Sequence, residues 1–208
     1  MSSEEAIRIL RAAGRPAARW KNGGGVTREI AAGPEGSGME DFGWRVSLAE
    51  VTADGAFSVF PGVDRTLTLA EGAGMDLEIG GVRRLVDRRY APQRFPGDEP
   101  TDCRLLAGPV VNFNVMYRRD AVSADTAVVR GDLALTVRPG ENLLVVALEG
   151  TAEIDGAAEL GPYDAALVTG AREVVLRSSG RAAVVRLAPA PASAPAPARA
   201  DHGRAQPV

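Results

Sequence analysis

The sequence predicts an all-β protein made of two related halves, and three observations carry that prediction. From Trp44 to Val185 the chain reads as short runs that alternate apolar and polar residues, the period of a half-buried strand. Gly, Pro and Asp fill the intervals and supply turn chemistry, and no run in this region has a long helical period. The chain also echoes itself. Leu67-Thr68-Leu69-Ala70-Glu71-Gly72 precedes a short strand and Gly80-Gly81, while Val145-Val146-Ala147-Leu148-Glu149-Gly150 precedes a short strand and Gly156. Leu105-Leu106-Ala107-Gly108 and Arg177-Ser178-Ser179-Gly180 follow in the same order, each ahead of an apolar strand. Two ordered matches favour duplication over chance. Many short strands at regular spacing mean a sandwich or barrel.

Taken in order, the elements are these. Ser3-Glu4-Glu5 offers a helix start, but Ile7 and Ile9 alternate with charged neighbours, so a strand near Ile7–Leu10 is favoured, after at most a helical turn. Strands follow at Arg45–Val51, Thr66–Leu69, Met75–Ile79 and Asn112–Tyr117. The second half repeats the pattern at Leu133–Val137, Ala152–Ile154, Val174–Leu176 and Ala183–Leu187. The expected organisation is an N-terminal half over 1–118, a C-terminal half over 119–188 and a tail over 189–208. That tail is Pro, Ala, Ser and polar residues without Leu, Ile or Phe; it cannot bury enough surface to offset its ordering entropy and is expected to be disordered.

Composition narrows the function. A formal net charge of −3 argues against a nucleic-acid partner, whose phosphates demand a basic excess. The single cysteine, Cys103, excludes an intramolecular disulfide. The acidic start leads into no long apolar run, and no stretch reaches the roughly 18 apolar residues of a membrane span, so a cytoplasmic protein without a membrane partner is expected. Nearly all basic residues are arginine; Lys21 is the only lysine.

Pro139-Gly140-Glu141, Leu148-Glu149-Gly150 and Gly161-Pro162-Tyr163-Asp164 resemble one half of a cupin barrel. Cupin enzymes usually place two His and a Glu on an early strand and a further His later. The matching stretches here are Asn142-Leu143-Leu144-Val145 and Asp64-Arg65-Thr66-Leu67, and the one histidine, His202, lies in the tail. A three-His-plus-carboxylate metal site cannot be assembled, and no carboxylate spacing suggests an all-oxygen one, so neither metal nor other cofactor is expected.

The most distinctive run is Trp20-Lys21-Asn22-Gly23-Gly24-Gly25-Val26-Thr27-Arg28-Glu29-Ile30. It lacks the spacing of a P-loop and the βα unit of a dinucleotide fingerprint, and on its residues alone it is either a loop letting a strand cross or a ligand site. Together with Phe42-Gly43-Trp44-Arg45-Val46-Ser47, Phe57 to Leu67, Asp102 to Pro109 and Asn112 to Met116, it is similar to the HutD/Ves family, in order and over most of the chain up to Leu187. The resemblance implies a bicupin: two RmlC-like β-barrel or jelly-roll halves in one chain. It also implies a link to histidine breakdown, in which the protein binds a small acidic pathway metabolite, N-formylglutamate or urocanate, and restrains pathway expression. No catalytic activity comes with it.

Arg65 is the first candidate for such a ligand. It follows a Pro-Gly turn and opens an apolar strand, and a guanidinium can clamp a carboxylate with two hydrogen bonds. The competing reading is an ion pair with Asp64 or Glu71. Lys21 could neutralise a second carboxylate, and Asn22 could read an amide or formyl group, or both could serve a solvent-facing turn; in the first case the Lys21–Thr27 loop closes over the far end of the ligand. Thr27 and Glu29 share one strand face, with Arg28 on the other, and either line a pocket or form a cross-strand bridge. Asn112 and Asn114 point the same way on an apolar strand and must find partners, a ligand or the protein itself. Arg104 and Arg118 are weaker candidates. The Arg83, Arg84, Arg88 and Arg89 group reads as solvated, and Cys103 as a buried structural thiol. The alternative to a binding protein is a metal-independent isomerase or lyase using Glu29 with Tyr117 or Tyr163, should these converge. A homodimer through strand edges is open to such a fold.

Overall fold

The computed structural model describes residues 7–191, and these contain strands and turns without a helix. The first part of the chain forms β1 (Ile7–Leu10), β2 (Ala18–Arg19), β3 (Gly25–Gly33), β4 (Trp44–Val51), β5 (Gly55–Phe57), β6 (Val63–Glu71), β7 (Met75–Ile79), β8 (Val82–Val86), β9 (Gln93–Pro96), β10 (Thr101–Leu105) and β11 (Val110–Arg118). The second part forms β12 (Val122–Val129), β13 (Leu133–Val137), β14 (Asn142–Glu149), β15 (Ala152–Ile154), β16 (Glu159–Leu160), β17 (Ala165–Val168), β18 (Arg172–Ser178) and β19 (Arg181–Pro189).

Four sheets result. One half pairs β2-β3-β4-β11-β6-β9 and β5-β10-β7-β8; the other pairs β1-β17-β14-β19-β12 and β13-β18-β15-β16. Without the flanking β1, β2 and β3, the strand orders are the same: β4 through β11 recur as β12 through β19. The sequence echo has a physical basis in this repeat. A Cβ on Gly72 would lie 2.6 Å from the Pro109 carbonyl, and one on Gly180 would lie 2.1 Å from the Glu149 carbonyl. In each half the turn after the central strand thus packs backbone to backbone on the turn before the last strand, which only glycine permits. Both contacts adjoin a register shift, between Val111 and Asn112 in one half and between Ala147 and Glu149 in the other. Tyr90 and Tyr163 repeat too: both have left-handed backbone, and their N–H groups donate to the carbonyls of Leu69 (2.9 Å) and Ala147 (2.6 Å).

Two expected boundaries are corrected. The 1–118 division fails at its start, because β1 pairs with β17 and so belongs to the C-terminal half, with Ile7 opposite Val168 and Ile9 opposite Ala166. The reason is burial: Ile7 and Ile9 pack against the apolar interior of the second barrel. The tail does not begin at 189, since β19 runs through Pro189 opposite Val122 and the Ala190 N–H donates to the Ala121 carbonyl at 2.9 Å. The rest of the expected tail, His202 included, lies outside the described residues.

Strand alternation divides the core into layers. On β11, Phe113, Val115 and Tyr117 face the second half, where they and Trp44, Val46 and Leu48 meet Leu144, Val146, Leu167, Val185 and Leu187. Each such side chain contributes on the order of 1.5–3 kcal/mol by leaving water, so the two large sheets hold the halves together as one body. Tyr163 reinforces the junction by donating its hydroxyl to the Glu71 carboxylate of the other half. The opposite faces of the same strands line two barrel interiors. That of the second barrel is apolar from Leu143 and Val145 to Leu176 and Val184, and at its end Arg186, inward on β19, is paired with the buried Glu141 at 2.8 Å. That of the first is apolar at one end, around Leu69, Met75, Leu77 and Val110, and polar at the other.

Candidate functional site

The polar end of the first barrel follows from register. Across β3, β4, β11 and β6, Glu29 stands opposite Ser47, Ser47 opposite Asn114 and Asn114 opposite Leu67. In the next row Arg45 stands opposite Met116, Met116 opposite Arg65 and Arg65 opposite Phe95. Because side chains alternate, Glu29, Arg45, Ser47, Asn114 and Arg65 share the face that carries Val51 and Leu69 into the barrel.

Arg65 is 8% exposed. Its guanidinium carbon lies 5.2 Å from the centre of the Phe57 ring, 5.9 Å from Phe60 and 5.3 Å from Phe95. Its Nε has no hydrogen-bond partner, and burial, with no neighbouring charge to offset it, pushes its pKa down to about 10. Neither carboxylate considered from the sequence pairs with it. Asp64 accepts from Arg119 at 2.9 Å, and Glu71 accepts from Tyr163. Aromatic faces attract a cation, but they give a guanidinium no acceptor for its donors. The arrangement is a buried cationic fork in an apolar cage, short of one anion.

Asn114 is the neighbouring polar group, diagonal to Arg65 at about 7–8 Å between backbones. It is buried and its Oδ1 lacks a partner; the same holds for Asn112, whose Nδ2 reaches only the Met75 sulfur at 3.7 Å. Glu29 and Arg45 form the cross-strand bridge that the sequence left as one alternative, with Arg45 Nε 2.6 Å from Glu29 Oε2. Thr27 accepts a hydrogen bond from the Trp20 indole at 2.8 Å, and Trp20 meets the Phe57 ring edge-on with 6.0 Å between centroids. Arg28 takes the opposite face and pairs with Glu50.

Three expectations are corrected. The Lys21–Thr27 loop is expected over the far end of a ligand clamped by Arg65, but its Lys21–Asn22 turn lies beyond the reach of a small acid held there. It precedes Gly25, which pairs with Val51, whereas Arg65 is level with Arg45, and from Arg45 to Val51 a strand runs roughly 20 Å. Lys21 is exposed there, and Asn22 spends its Oδ1 on the Gly24 N–H of its own turn at 3.0 Å. The glycine run serves close packing: a Cβ on Gly25 would lie 2.4 Å from the Glu50 carbonyl and 3.3 Å from the Trp20 ring. Arg104 faces away from the barrel, beside Asp54, Asp76, Glu78 and Asp102 on the outer surface, because alternation along β10 sends Cys103 inward and its neighbour out. The catalytic grouping of Glu29 with Tyr117 or Tyr163 does not assemble. Tyr117 is in the core between the halves, Tyr163 is on Glu71, and Glu29 is on Arg45.

Among the remaining candidates, Arg118 donates to the Phe42 carbonyl at 3.0 Å and stacks on its ring, which ties down the loop before β4. Cys103 is buried with its thiol pushed up to about 11 by desolvation, then by Asp54. Among the described residues no three His, Cys, Asp or Glu side chains gather as a metal site would require. The position in β14 that corresponds to Arg65 is the fully buried Leu143, and Arg186 opposite it already has the Glu141 carboxylate at 2.8 Å, so among the described residues a buried arginine short of an anion is a feature of the first half.

Sequence reading missed Arg45, Ser47 and the three phenylalanines. Arg45 and Ser47 alternate with Trp44, Val46 and Leu48, and that alternation marks two faces without telling which is the barrel. Phe57, Phe60 and Phe95 come from two strands and a loop that only the closed barrel brings together.

The family model described as HutD matches residues 12–185. A 21.2 kDa protein in the hutC 3′ region of Pseudomonas putida is 32% identical over 186 residues, which are 87% of this chain and 97% of the relative. Protein Ves of Cronobacter sakazakii is 36% identical over 141 residues, or 67% of this chain and 75% of the relative. The solved structure of HutD from Pseudomonas fluorescens superposes with a TM-score of 0.80 at 33% identity, covering 88% of this chain and 99% of that one. A bacterial pirin from Escherichia coli, at 9% identity and a TM-score of 0.65 over 88% of this chain and 99% of its own, shares the fold alone. The match of family model, relatives and architecture leaves one assignment: the chain belongs to the HutD family, on a cupin-type all-β fold.

Proposed function

We propose that the first barrel binds a small carboxylic acid without turning it over, and that this binding modulates histidine utilisation. The single observation that carries the reading is Arg65, a buried guanidinium with no protein anion and with phenylalanine rings on three sides. A ligand carboxylate would supply both the missing charge and a planar bidentate acceptor, and the dry cage would strengthen the pairing. Asn114, with its amide oxygen unpaired nearby, suits a ligand that donates an N–H. N-formylglutamate fits this chemistry best among histidine-breakdown acids, since it offers carboxylates and a formamide; urocanate offers one carboxylate and an imidazole.

Calorimetric titration of the folded protein with each acid tests the reading. Binding of N-formylglutamate that is lost in Arg65→Met supports it. No heat with either acid would sink the ligand assignment.

A further inference from the structure

We infer that Glu29 is a built-in competitor of the ligand: its carboxylate holds Arg45 in the free barrel, and an acid that spans Arg65 and Arg45 must displace it. The inference rests on Arg65 being the primary anchor, as proposed above.

Arg45 and Arg65 stand in one row on either side of Met116, so their backbones are about 10 Å apart, two strand spacings. Both side chains lie on the inner face of the first barrel. They differ in one respect: Arg65 has no carboxylate, and Arg45 has that of Glu29 at 2.6 Å. The pair is lopsided in exposure. The Arg45 side chain is 12% exposed and that of Glu29 is 44% exposed. Glu29 can therefore swing towards water with little loss of solvation, while Arg45 cannot follow and would be left without an anion. An incoming carboxylate that replaces Glu29 leaves the charge on Arg45 neutralised and adds its own contacts.

Specificity follows from this exchange. An acid with one carboxylate fills Arg65 and finds Arg45 already taken. An acid with two carboxylates on a short chain reaches both guanidinium groups, with its methylenes over Met116, but it must compete with Glu29. Glu29 thus lowers affinity for diacids and leaves single acids unaffected. A purely structural cross-strand bridge would make no such distinction.

Butyrate and glutarate, which differ by one carboxylate at similar length, separate the cases when titrated into the ¹⁵N-labelled full chain and followed by NMR. In Glu29→Gln, glutarate binding is expected to tighten by about fivefold while butyrate binding stays within about twofold. In Arg45→Met, glutarate is expected to bind no better than butyrate, and in Arg65→Met neither acid binds. Glu29→Ala should match Glu29→Gln, which guards against a fold-specific effect of one variant. If both Glu29 variants bind glutarate as the wild type does, or more weakly, and Arg65→Met still loses both acids, the competitor role is overturned while the Arg65 reading stands. If Arg65→Met leaves butyrate binding intact, the underlying reading fails instead.

Discussion

Replacing Arg65 by methionine should make the free protein more stable while removing its ability to bind an acid. Burial holds the Arg65 guanidinium below its ordinary pKa, at about 10, with no charged neighbour to offset the desolvation. A displacement of that size corresponds to about 3 kcal/mol against the charged form. Contacts with three phenylalanine rings return part of it, at roughly 0.5–1 kcal/mol each, so the net cost is at most about 1.5 kcal/mol. Because the folded-state pKa lies below the unfolded one, the penalty is fully present at every pH below about 10 and is relieved only as pH rises above it. A melt at pH 7 therefore reads all of it. Methionine retains most of the apolar stem and removes the charge. At roughly 2–4 °C per kcal/mol for a chain of this size, the variant should melt higher than wild type, by up to about 6 °C, in the absence of any acid. Circular dichroism melts and urea midpoints check the shift. A variant that unfolds cooperatively but at lower temperature would refute the reasoning, because it would mean that the guanidinium is satisfied by the protein itself and has no need of a ligand anion.

Three further outcomes test other parts of the structure. Asn114→Asp places a carboxylate diagonally from Arg65; it should stabilise the free protein and weaken N-formylglutamate by at least about tenfold, and unchanged affinity in calorimetry would remove Asn114 from the pocket. Gly25→Ala should cost about 1–3 kcal/mol in urea unfolding, because its Cβ would meet the Glu50 carbonyl, whereas Gly24→Ala, whose nearest contact is 3.4 Å from the Asn22 side chain, should stay within about 1 kcal/mol. Cys103, buried and with its thiol pushed up to about 11, should ignore a thiol reagent in native protein at pH 8 and react on unfolding; rapid native labelling would show that the barrel opens readily.

Legibility varied with the range of the interaction that mattered. Strands with clear alternation, such as Met75–Ile79 and Leu133–Val137, were visible because a half-buried strand writes its two faces into neighbouring residues. Short strands such as Ala18–Arg19 and Glu159–Leu160 were not, since two residues carry no period. Arg65 could be singled out because an arginine at the head of an apolar strand is anomalous in its local context. Arg104 shows the limit of that rule: in Thr101–Leu105 it alternates with Cys103, and which parity faces the barrel depends on the sheet packed against it.

The sequence by itself determined the all-β class, the duplication and the absence of histidine from residues 7–191, since each is a matter of local pattern or composition. Only the tertiary structure decided where the chain's first strand belongs, which barrel leaves an inward arginine without a carboxylate and what surrounds Arg65. Ile7–Leu10 could pair with any open sheet edge, and the edge beside β17 is the one where Ile7 and Ile9 leave water. Phe57, Phe60 and Phe95 converge on one guanidinium because β5, the loop after it and β9 meet as the barrel closes. The three rings come together through long-range strand pairing, and no local sequence pattern encodes which distant residues such pairing brings into contact.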